Sequence, residues 1–312
     1  MFKQKKLFTG LLLLLLVLVL VFPVLAVDFP LTVEDDLGYK ITMDKKPERI
    51  ISLAPSNTEI LFALGLDEEI VGVTTYANYP EAALSKEKIG TIYEPNIEKI
   101  YSLKPDLVLA AGINKLESIE RLKELGLKVA GFNPRTVNDI FITLKKIGKL
   151  TGKSDTAREI VTDMYIQMSE IQDLVDKVLK DKPRPKVFYE IWNDPLYTAG
   201  KGTFIDDVIT LAGGINIGRK AHGAWPQYSM EKLLIENPDV YVSSPHSAPH
   251  QVTPESVKSR ENFKNLKAIK NNRVYVIDTD IINRPSPRII EGLKQFVKAI
   301  FPELAGEIDQ IE

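Results

Sequence analysis

The chain has 312 residues, with 40 Lys or Arg against 42 Asp or Glu, and its formal net charge is −2. This mildly acidic balance argues against a nucleic acid as the partner. The sequence contains no cysteine, which excludes a disulfide framework, a zinc–thiolate site and a lipid-modified N-terminal cysteine.

The N-terminus has the pattern of a secretory signal, because three lysines precede an apolar run that ends in small residues at Ala26. Cleavage after residue 26 leaves 286 residues and moves the formal net charge from −2 to −5, since it removes three lysines and no acid. The apolar stretch of 17 residues from Leu11 to Val27 also allows an uncleaved membrane anchor, at the lower edge of spanning length. We therefore expect an exported protein at the periplasmic or extracellular face of the cytoplasmic membrane.

The first half of the mature chain alternates short apolar strands with helices. Strands are predicted at Arg49–Pro55, Ile70–Thr75 and Leu107–Ala111. Ser56–Glu59 reads as a capping box that opens the helix after the first strand. This order predicts a parallel α/β lobe over residues 27–152, in which the loops at the strand carboxyl ends face a ligand crevice.

A long amphipathic helix is predicted next. Apolar residues recur at three- and four-residue spacing from Ser154 to about Leu179. A helix of that length is a strut of ~39 Å, and the proline-bearing segment 180–185 ends it. We assign residues 153–182 to this connecting helix. A single strut between two lobes predicts little closure when a ligand binds.

The remaining residues, 183–312, repeat the α/β pattern and predict a second lobe. Strands are expected at Val187–Ile191 and Val274–Asp278, and helices at Thr203–Ala212 and Ser286–Phe301. The predicted fold class is therefore α/β, with two similar lobes that contain parallel sheets and are joined by one long backbone helix.

A repeated segment supports the similarity of the two lobes. Asn96–Ala110 recurs as Ser229–Ser243, and each copy predicts a short helix with an N-cap residue, a Pro-Asp turn and a buried strand. Four residues recur at a constant offset of 133 positions, namely Glu98, Lys99, Pro105 and Asp106, which return as Glu231, Lys232, Pro238 and Asp239. Each copy thus carries a Glu in the first helical turn. The helix dipole favours a carboxylate there without any partner, so a role for the pair needs support from elsewhere.

Aromatic residues are concentrated in the loops that should rim the crevice. They are Tyr76, Tyr79, Tyr93, Trp192, Tyr197, Trp225 and Tyr228. Flat aromatic rings bury much apolar area at a modest entropic cost, which suits a bulky, largely apolar ligand. Loop aromatics also pack against their own lobe, and we expect that of two or three of the seven. Candidate polar contacts near the end of the last strand are Asp278, Asp280 and Arg284.

The three histidines do not predict a metal site. His246 and His250 have H-x-x-x-H spacing, but prolines interrupt the segment and no carboxylate ligand is near. We expect no bound metal ion and no cofactor. His222, close to Trp225, is a candidate to reach a metal centre inside a bound ligand.

Six segments together resemble the periplasmic cobalamin-binding proteins of ABC importers, and the likeness extends from about Arg49 to Phe301. The segments are RIISLAPSNTEILFALG, VGVTTYANYP, NIEKIYSLKPDLVLA, LYTAGKGTFIDDVITLAGGINI, WPQYSMEKLLIENPD and RPSPRII. This resemblance implies the helical-backbone class of substrate-binding proteins, which also includes siderophore and haem binders. It implies that cobalamin is the ligand, that the partner is a permease dimer with its ATPase subunits, and that the undocked protein is a monomer.

The resemblance also implies roles for particular residues. Those that look like the family's corrin-contacting aromatics are Tyr76 or Tyr79, Tyr93, Tyr197 and Trp225, and Trp192 joins them as a rim aromatic. Asp280 and Arg284 look like polar contacts to the ligand. Glu98 and Glu231 look like a pair of surface glutamates, one per lobe, that engage arginines on the two permease subunits.

Three other functions remain to be weighed. A ferric-siderophore or haem receptor would share the scaffold, although anionic siderophores usually need an arginine cluster and haem needs an axial Tyr, His or Met. An enzyme is not expected, because G-x-S-x-G, H-E-x-x-H and phosphate-loop patterns are absent from the sequence. An adhesive or structural protein has no reason to line a crevice with aromatics.

Overall fold

The structure is a computed structural model that describes residues 29–244 and 252–311. The signal expected at residues 1–26 lies outside this part of the chain, as do His246 and His250. Within the described ranges, no helix combines the length and the apolar character needed to cross a bilayer.

The N-terminal lobe consists of an antiparallel hairpin followed by a parallel α/β sheet. The hairpin pairs β1 (Leu31–Glu34) with β2 (Lys40–Met43). The elements that follow are β3 (Ile50–Ser52), α1 (Pro55–Ala63), β4 (Ile70–Val73), α2 (Ile97–Ser102), β5 (Leu107–Ala111), α3 (Leu116–Glu124), β6 (Val129–Phe132) and α4 (Val137–Leu150). The strands are rich in Ile, Leu and Val and are buried almost throughout, as parallel strands covered on both faces must be.

The predicted backbone helix is confirmed. Helix α5 spans Ser154–Leu179, which is 26 residues. It buries apolar side chains along one face, among them Val161, Met164 and Ile171. This face packs against α4 in the first lobe and against the long C-terminal helix of the second lobe.

The C-terminal lobe contains a second parallel sheet and a short antiparallel hairpin. Its elements are β7 (Lys186–Glu190), β8 (Trp192–Asn193), β9 (Leu196–Tyr197), α6 (Phe204–Leu211), β10 (Ile215–Asn216), α7 (Met230–Glu236), β11 (Val240–Ser243), α8 (Pro254–Lys258), α9 (Lys267–Lys270), β12 (Val274–Val276), α10 (Thr279–Ile282), α11 (Ile289–Ile300) and α12 (Ala305–Ile308). Strands β8 and β9 form the hairpin. Short 3₁₀ turns occur at Glu81–Ser85, Ile217–Lys220, Glu261–Phe263 and Pro302–Leu304.

The two sheets have the same strand order. The first is ordered β4-β3-β5-β6 and the second β10-β7-β11-β12, and all the pairings within them are parallel. In each parallel sheet, therefore, the strand that comes first in the chain, which we call the leading strand (β3 or β7), lies between the second and the third. In an open parallel sheet the crevice at the carboxyl ends of the strands, where the order reverses, is where ligands bind.

The sequence repeat is preserved in the local structure. The side chain of Asn96 accepts a hydrogen bond from the Lys99 N–H at 2.9 Å, and Ser229 accepts one from the Lys232 N–H at 3.1 Å, so both predicted N-caps are confirmed. After each helix one residue takes the left-handed conformation, and the two lie 133 positions apart. These residues are Lys104 and Asn237, each with φ 47°.

The aspartate of each Pro-Asp turn ties its turn to the leading strand of the same lobe. Asp106 Oδ2 accepts the N–H groups of Glu48 and Arg49, at 2.8 and 3.0 Å. Asp239 Oδ2 accepts the Lys186 N–H at 2.8 Å. The sequence repeat thus fixes the same connection between helix and sheet in both lobes.

Candidate functional site

The carboxyl edges of the two sheets face each other across the lobe junction. The loop after β4 reaches the second lobe, where Asn78 Nδ2 donates to Asp280 Oδ2 at 2.7 Å. On the other side, the Val137 N–H at the start of α4 donates to Asp207 Oδ2 at 2.8 Å. Since each of these residues follows a strand in its own lobe, the contacts join the lobes at the strand ends, where the strand order predicts a ligand crevice.

Glu59 of the first lobe is bonded to the second lobe at this junction and is only 3% exposed. Its Oε1 accepts from Arg284 Nη1 at 2.9 Å, and its Oε2 accepts from Ser286 Oγ at 2.6 Å and from Arg288 Nε at 2.9 Å. Arg288 Nη2 also donates to Oε1. Burial opposes the charge of Arg288, but its hydrogen bonds to the Glu59 carboxylate outweigh that effect and raise the pKa of the guanidinium. We call Glu59, Arg284, Ser286 and Arg288 the junction cluster.

The predicted capping box at Ser56–Glu59 is wrong. Helix α1 begins at Pro55, two residues before the start that an N-cap at Ser56 gives, and its N-cap residue Ala54 makes no side-chain cap. Proline is well suited to the first helical position because its missing N–H has no helical acceptor there. The Glu59 side chain does not return to the helix start, since it is drawn into the junction cluster.

The loop after β4 carries two half-exposed tyrosines at the junction, Tyr76 and Tyr79. The carbonyl of Tyr76 accepts from Arg284 Nη2 at 3.3 Å, and the guanidinium of Arg288 lies 3.9 Å from the centre of the Tyr79 ring. Lys88 stabilises the loop by donating hydrogen bonds to the carbonyls of residues 77 and 83. Burial lowers the pKa of Lys88. Both rings are thus held on a braced loop that touches the second lobe.

Tyr93 is half-exposed on the neighbouring loop, which a buried amide fixes in place. Asn114 Nδ2 donates to the carbonyl of Ile92 at 2.8 Å and to that of Leu53, the residue after β3, at 2.9 Å. One side chain therefore joins the Tyr93 loop to the leading strand. Sequence reasoning missed Asn114, because its partners lie 22 and 61 positions away.

The second lobe contributes its own aromatic group. Trp192 and Tyr197 lie directly opposite each other in the β8–β9 hairpin, and the Trp192 indole N–H donates to the carbonyl of Asp194 at 2.8 Å. Trp225 contacts Phe204 edge to face, with ring centres 6.1 Å apart. The Trp225 loop is bound to the preceding loop by the Gly200 N–H, which donates to the carbonyl of residue 224 at 2.8 Å. The structure thus gathers these three predicted aromatics on one connected set of loops.

Tyr228 is one of the loop aromatics that pack against their own lobe instead of rimming the crevice. Its ring is buried against Phe188 in the core of the second lobe, with ring centres 5.2 Å apart. Burial, followed by the charge of Glu236, raises the pKa of Tyr228 to about 12. Tyr228 is the residue just before the α7 N-cap, and it secures that helix to the sheet.

The predicted polar residues are already paired within the protein. Arg284 is largely buried, and besides Glu59 its side chain binds Asn78 Oδ1 at 2.7 Å and Asp280 at 2.6 Å. Asp278 caps α10 by accepting the N–H of Asp280 at 2.8 Å.

His222, the candidate to reach a metal centre inside a bound ligand, lies in the segment before α7, as does Arg219. His222 is exposed there, and Arg219 Nε lies 3.3 Å from Asp206. Over residues 29–244 and 252–311, no three side chains of His, Asp or Glu are grouped as a metal site.

Glu98 and Glu231 are both exposed, at equivalent positions of α2 and α7. Neither forms an ion pair or accepts a side-chain hydrogen bond from any residue that the structure describes. The lysine after each one is turned to its own lobe, since Lys99 pairs with Glu87 and Lys232 donates to the carbonyl of Lys220 at 3.1 Å. Both carboxylates are therefore exposed at the surface without a charged partner among the described residues.

Comparisons with known proteins are consistent with this architecture. A family described as periplasmic binding protein matches residues 50–281. A Bacillus subtilis protein, described as an uncharacterized ABC transporter substrate-binding lipoprotein, is 36% identical over 286 residues, covering 89% of this chain and 88% of that protein. The vitamin B12-binding protein of Vibrio cholerae is 31% identical over 250 residues, covering 80% of this chain and 87% of that protein.

A solved structure is similar over the same region. The crystal structure of a possible iron-binding, periplasmic solute-binding protein from Staphylococcus epidermidis matches with a TM-score of 0.70 and 34% identity, covering 82% of this chain and all of that one. The similar proteins thus differ in the ligands that their names give.

Proposed function

This chain belongs to the periplasmic binding protein family and is a substrate-binding protein of an ABC importer, not an enzyme; from that premise we propose that it captures cobalamin or a related corrinoid between its two lobes. The ligand is then delivered to the permease of the importer. We further propose that the protein is exported and works at the outer face of the cytoplasmic membrane.

The observation that carries this proposal is the set of braced aromatic side chains on the facing loops of both lobes. The proposed ligand contacts are Tyr76, Tyr79, Tyr93, Trp192, Tyr197 and Trp225, with Asp280 and Arg284 at the junction. A corrin presents two broad, largely apolar faces edged by amides, and rings from opposite lobes suit such faces. The name of the Vibrio cholerae relative supports the same ligand.

Binding in this proposal needs little movement of the lobes. The junction cluster already joins them through Glu59, and α5 packs against helices of both. Affinity would then come from the burial of apolar ligand surface rather than from a hinge that closes, because preorganised loops lose little entropy when a ligand binds.

A ferric siderophore or haem is the alternative ligand, and the name of the Staphylococcus epidermidis protein favours an iron compound. An anionic siderophore would need arginines that are free to bind it. Arg219 is paired with Asp206, and Arg284 with Glu59 and Asp280. Each would have to give up an internal carboxylate, which favours the neutral corrinoid.

The absorption spectrum of the loaded protein tests this assignment. The mature protein, residues 27–312, is incubated with equimolar cyanocobalamin, haem and a ferric hydroxamate siderophore, then separated by gel filtration and scanned. We expect the corrin bands alone to elute with the protein. Elution of haem or iron-chelate bands without the corrin would overturn the proposed ligand while leaving the importer assignment intact.

We also propose that Glu98 and Glu231 dock the protein onto the two permease subunits. A Glu98→Ala or Glu231→Ala variant should slow uptake into proteoliposomes that contain the importer, with unchanged affinity for cyanocobalamin. Glu170→Ala is the matched control, because Glu170 is an exposed glutamate on the strut α5. Loss of cyanocobalamin binding in Glu231→Ala, or an equal slowing by the control, would contradict the docking role.

A further inference from the structure

Each proposed docking helix exposes a large apolar side chain next to its glutamate. On α2, Tyr101 is 53% exposed, and on α7 Leu234 and Ile235 are 40% and 73% exposed. No other large apolar side chain in the described ranges is as exposed as Ile235. Tyr101 and Leu234 occupy equivalent positions of the repeat, since they lie 133 positions apart.

The spacing puts the acid and the apolar side chain on one helical face. Tyr101 follows Glu98 by three positions, and Leu234 follows Glu231 by three, so in each helix the two side chains are neighbours one turn apart. The opposite face is buried, because Ile100 of α2 is fully covered by its lobe. Leu233 of α7 is covered in the same way.

We propose that these side chains form the apolar half of the permease contact. We define the docking face as Glu98 and Tyr101 on α2 together with Glu231, Leu234 and Ile235 on α7. Its partner is the two-fold pair of permease subunits, each of which offers a cationic side chain beside an apolar pocket. This inference rests on the docking role proposed above.

The negative charge of the docking face favours the permease pair over a second copy of this chain or an anionic lipid surface as the partner. A second copy of this chain would bring like charges together, and an anionic lipid surface would repel both glutamates. A partner with cationic side chains removes the unpaired charge of Glu98 and Glu231 while it covers the apolar residues. Because the two acid–apolar pairs are equivalent by the repeat, a partner with two equivalent sites engages both at once.

The two kinds of residue have different effects on binding. Exposed charges act over distance, so the glutamates set the association rate and its dependence on salt. Apolar side chains act only in contact, so Tyr101, Leu234 and Ile235 set the dissociation rate. This difference separates an apolar anchor from a second electrostatic contact.

The test is surface plasmon resonance of the mature protein on the importer complex, permease with ATPase subunits, held in nanodiscs. We expect Tyr101→Ser and Leu234→Ser each to weaken binding about tenfold through faster dissociation, with the salt dependence unchanged. Glu98→Ala should instead slow association and flatten the salt dependence. The matched controls are Tyr165→Ser and Ile166→Ser on α5, whose side chains are 59% and 49% exposed.

Each outcome decides one part of the proposal. If the wild-type protein does not bind the complex at all, the importer partner is wrong and this inference fails with it. If the wild type binds and Glu98→Ala weakens binding, but Tyr101→Ser and Leu234→Ser match the α5 controls, the apolar contact alone is overturned. Cyanocobalamin titration of every variant separates these results from misfolding or loss of the ligand site.

Discussion

Replacing Glu59 with glutamine should destabilise the junction between the lobes more than any exposed charge substitution does. Glu59 receives four side-chain hydrogen bonds, from Arg284, Ser286 and twice from Arg288. Glutamine keeps one carbonyl oxygen but turns an N–H₂ group toward the guanidinium groups. Arg284 and Arg288 are then left without their shared carboxylate in a mostly buried setting.

The size of the effect follows from that geometry. Breaking a buried ion pair by removing one partner costs about 3–5 kcal/mol. Arg284 keeps Asp280 as a second partner at 2.6 Å, so we expect the lower end, about 3 kcal/mol. Glu48→Gln is the matched control, because its ion pair with Lys45 at 3.3 Å is exposed on both sides. Such a pair contributes about 0–1 kcal/mol.

The free energy of unfolding of both variants is measured at neutral pH by urea titration, with circular dichroism as the signal. A second substitution, Arg288→Gln, should lower the free energy of unfolding less in the Glu59→Gln variant than in the wild type, because the two residues share hydrogen bonds. An exposed substitution usually changes the free energy of unfolding by no more than about 0.5 kcal/mol. If the free energy of unfolding of Glu59→Gln differs from that of the wild type by no more than this, the junction cluster does not hold the lobes together.

Three further predictions concern the ligand site, the Pro-Asp turn and the strut. Trp225→Ala should weaken cyanocobalamin binding at least about tenfold by calorimetry, while loss of its ring contact with Phe204 lowers the unfolding free energy by only about 1 kcal/mol. Burial opposes the charge of Asp239, yet hydrogen bonds from Lys267 and the Lys186 N–H hold its pKa below the ordinary value. Its stabilising effect is therefore present at neutral pH and lost as pH falls through that lowered pKa, so urea titrations of wild type and Asp239→Asn should converge in acid. Finally, saturation with ligand should leave the radius of gyration in small-angle scattering nearly unchanged, whereas a hinged protein would contract.

The features predicted well from the sequence are those whose signals are local. Both repeat helices have the expected N-caps at Asn96 and Ser229, because a cap depends on residues three positions apart. The strut has its predicted bounds, Ser154–Leu179, because the apolar spacing that identifies an amphipathic helix lies within the sequence of the helix itself. The repeat also predicted two similar lobes, and the shared strand order confirms that.

The junction cluster could not be predicted in this way, because its residues are far apart in the chain. Glu59 and Arg284 are separated by 225 positions. One signal in the sequence does point to it. An acid within the apolar run of α1 requires a buried partner, since an unpaired buried charge is costly. Sequence alone could not tell which loop aromatics pack inward for a related reason, since the loop position of Tyr228 does not reveal that Phe188 covers its ring.

The most direct test of the proposed function is calorimetric titration of the mature protein, residues 27–312, with cyanocobalamin, and with haem and a ferric siderophore as controls. Our account predicts saturable one-to-one binding of cyanocobalamin alone, at submicromolar concentration as expected for an uptake receptor. Saturable binding of haem or the ferric siderophore, with no heat from cyanocobalamin, would contradict it.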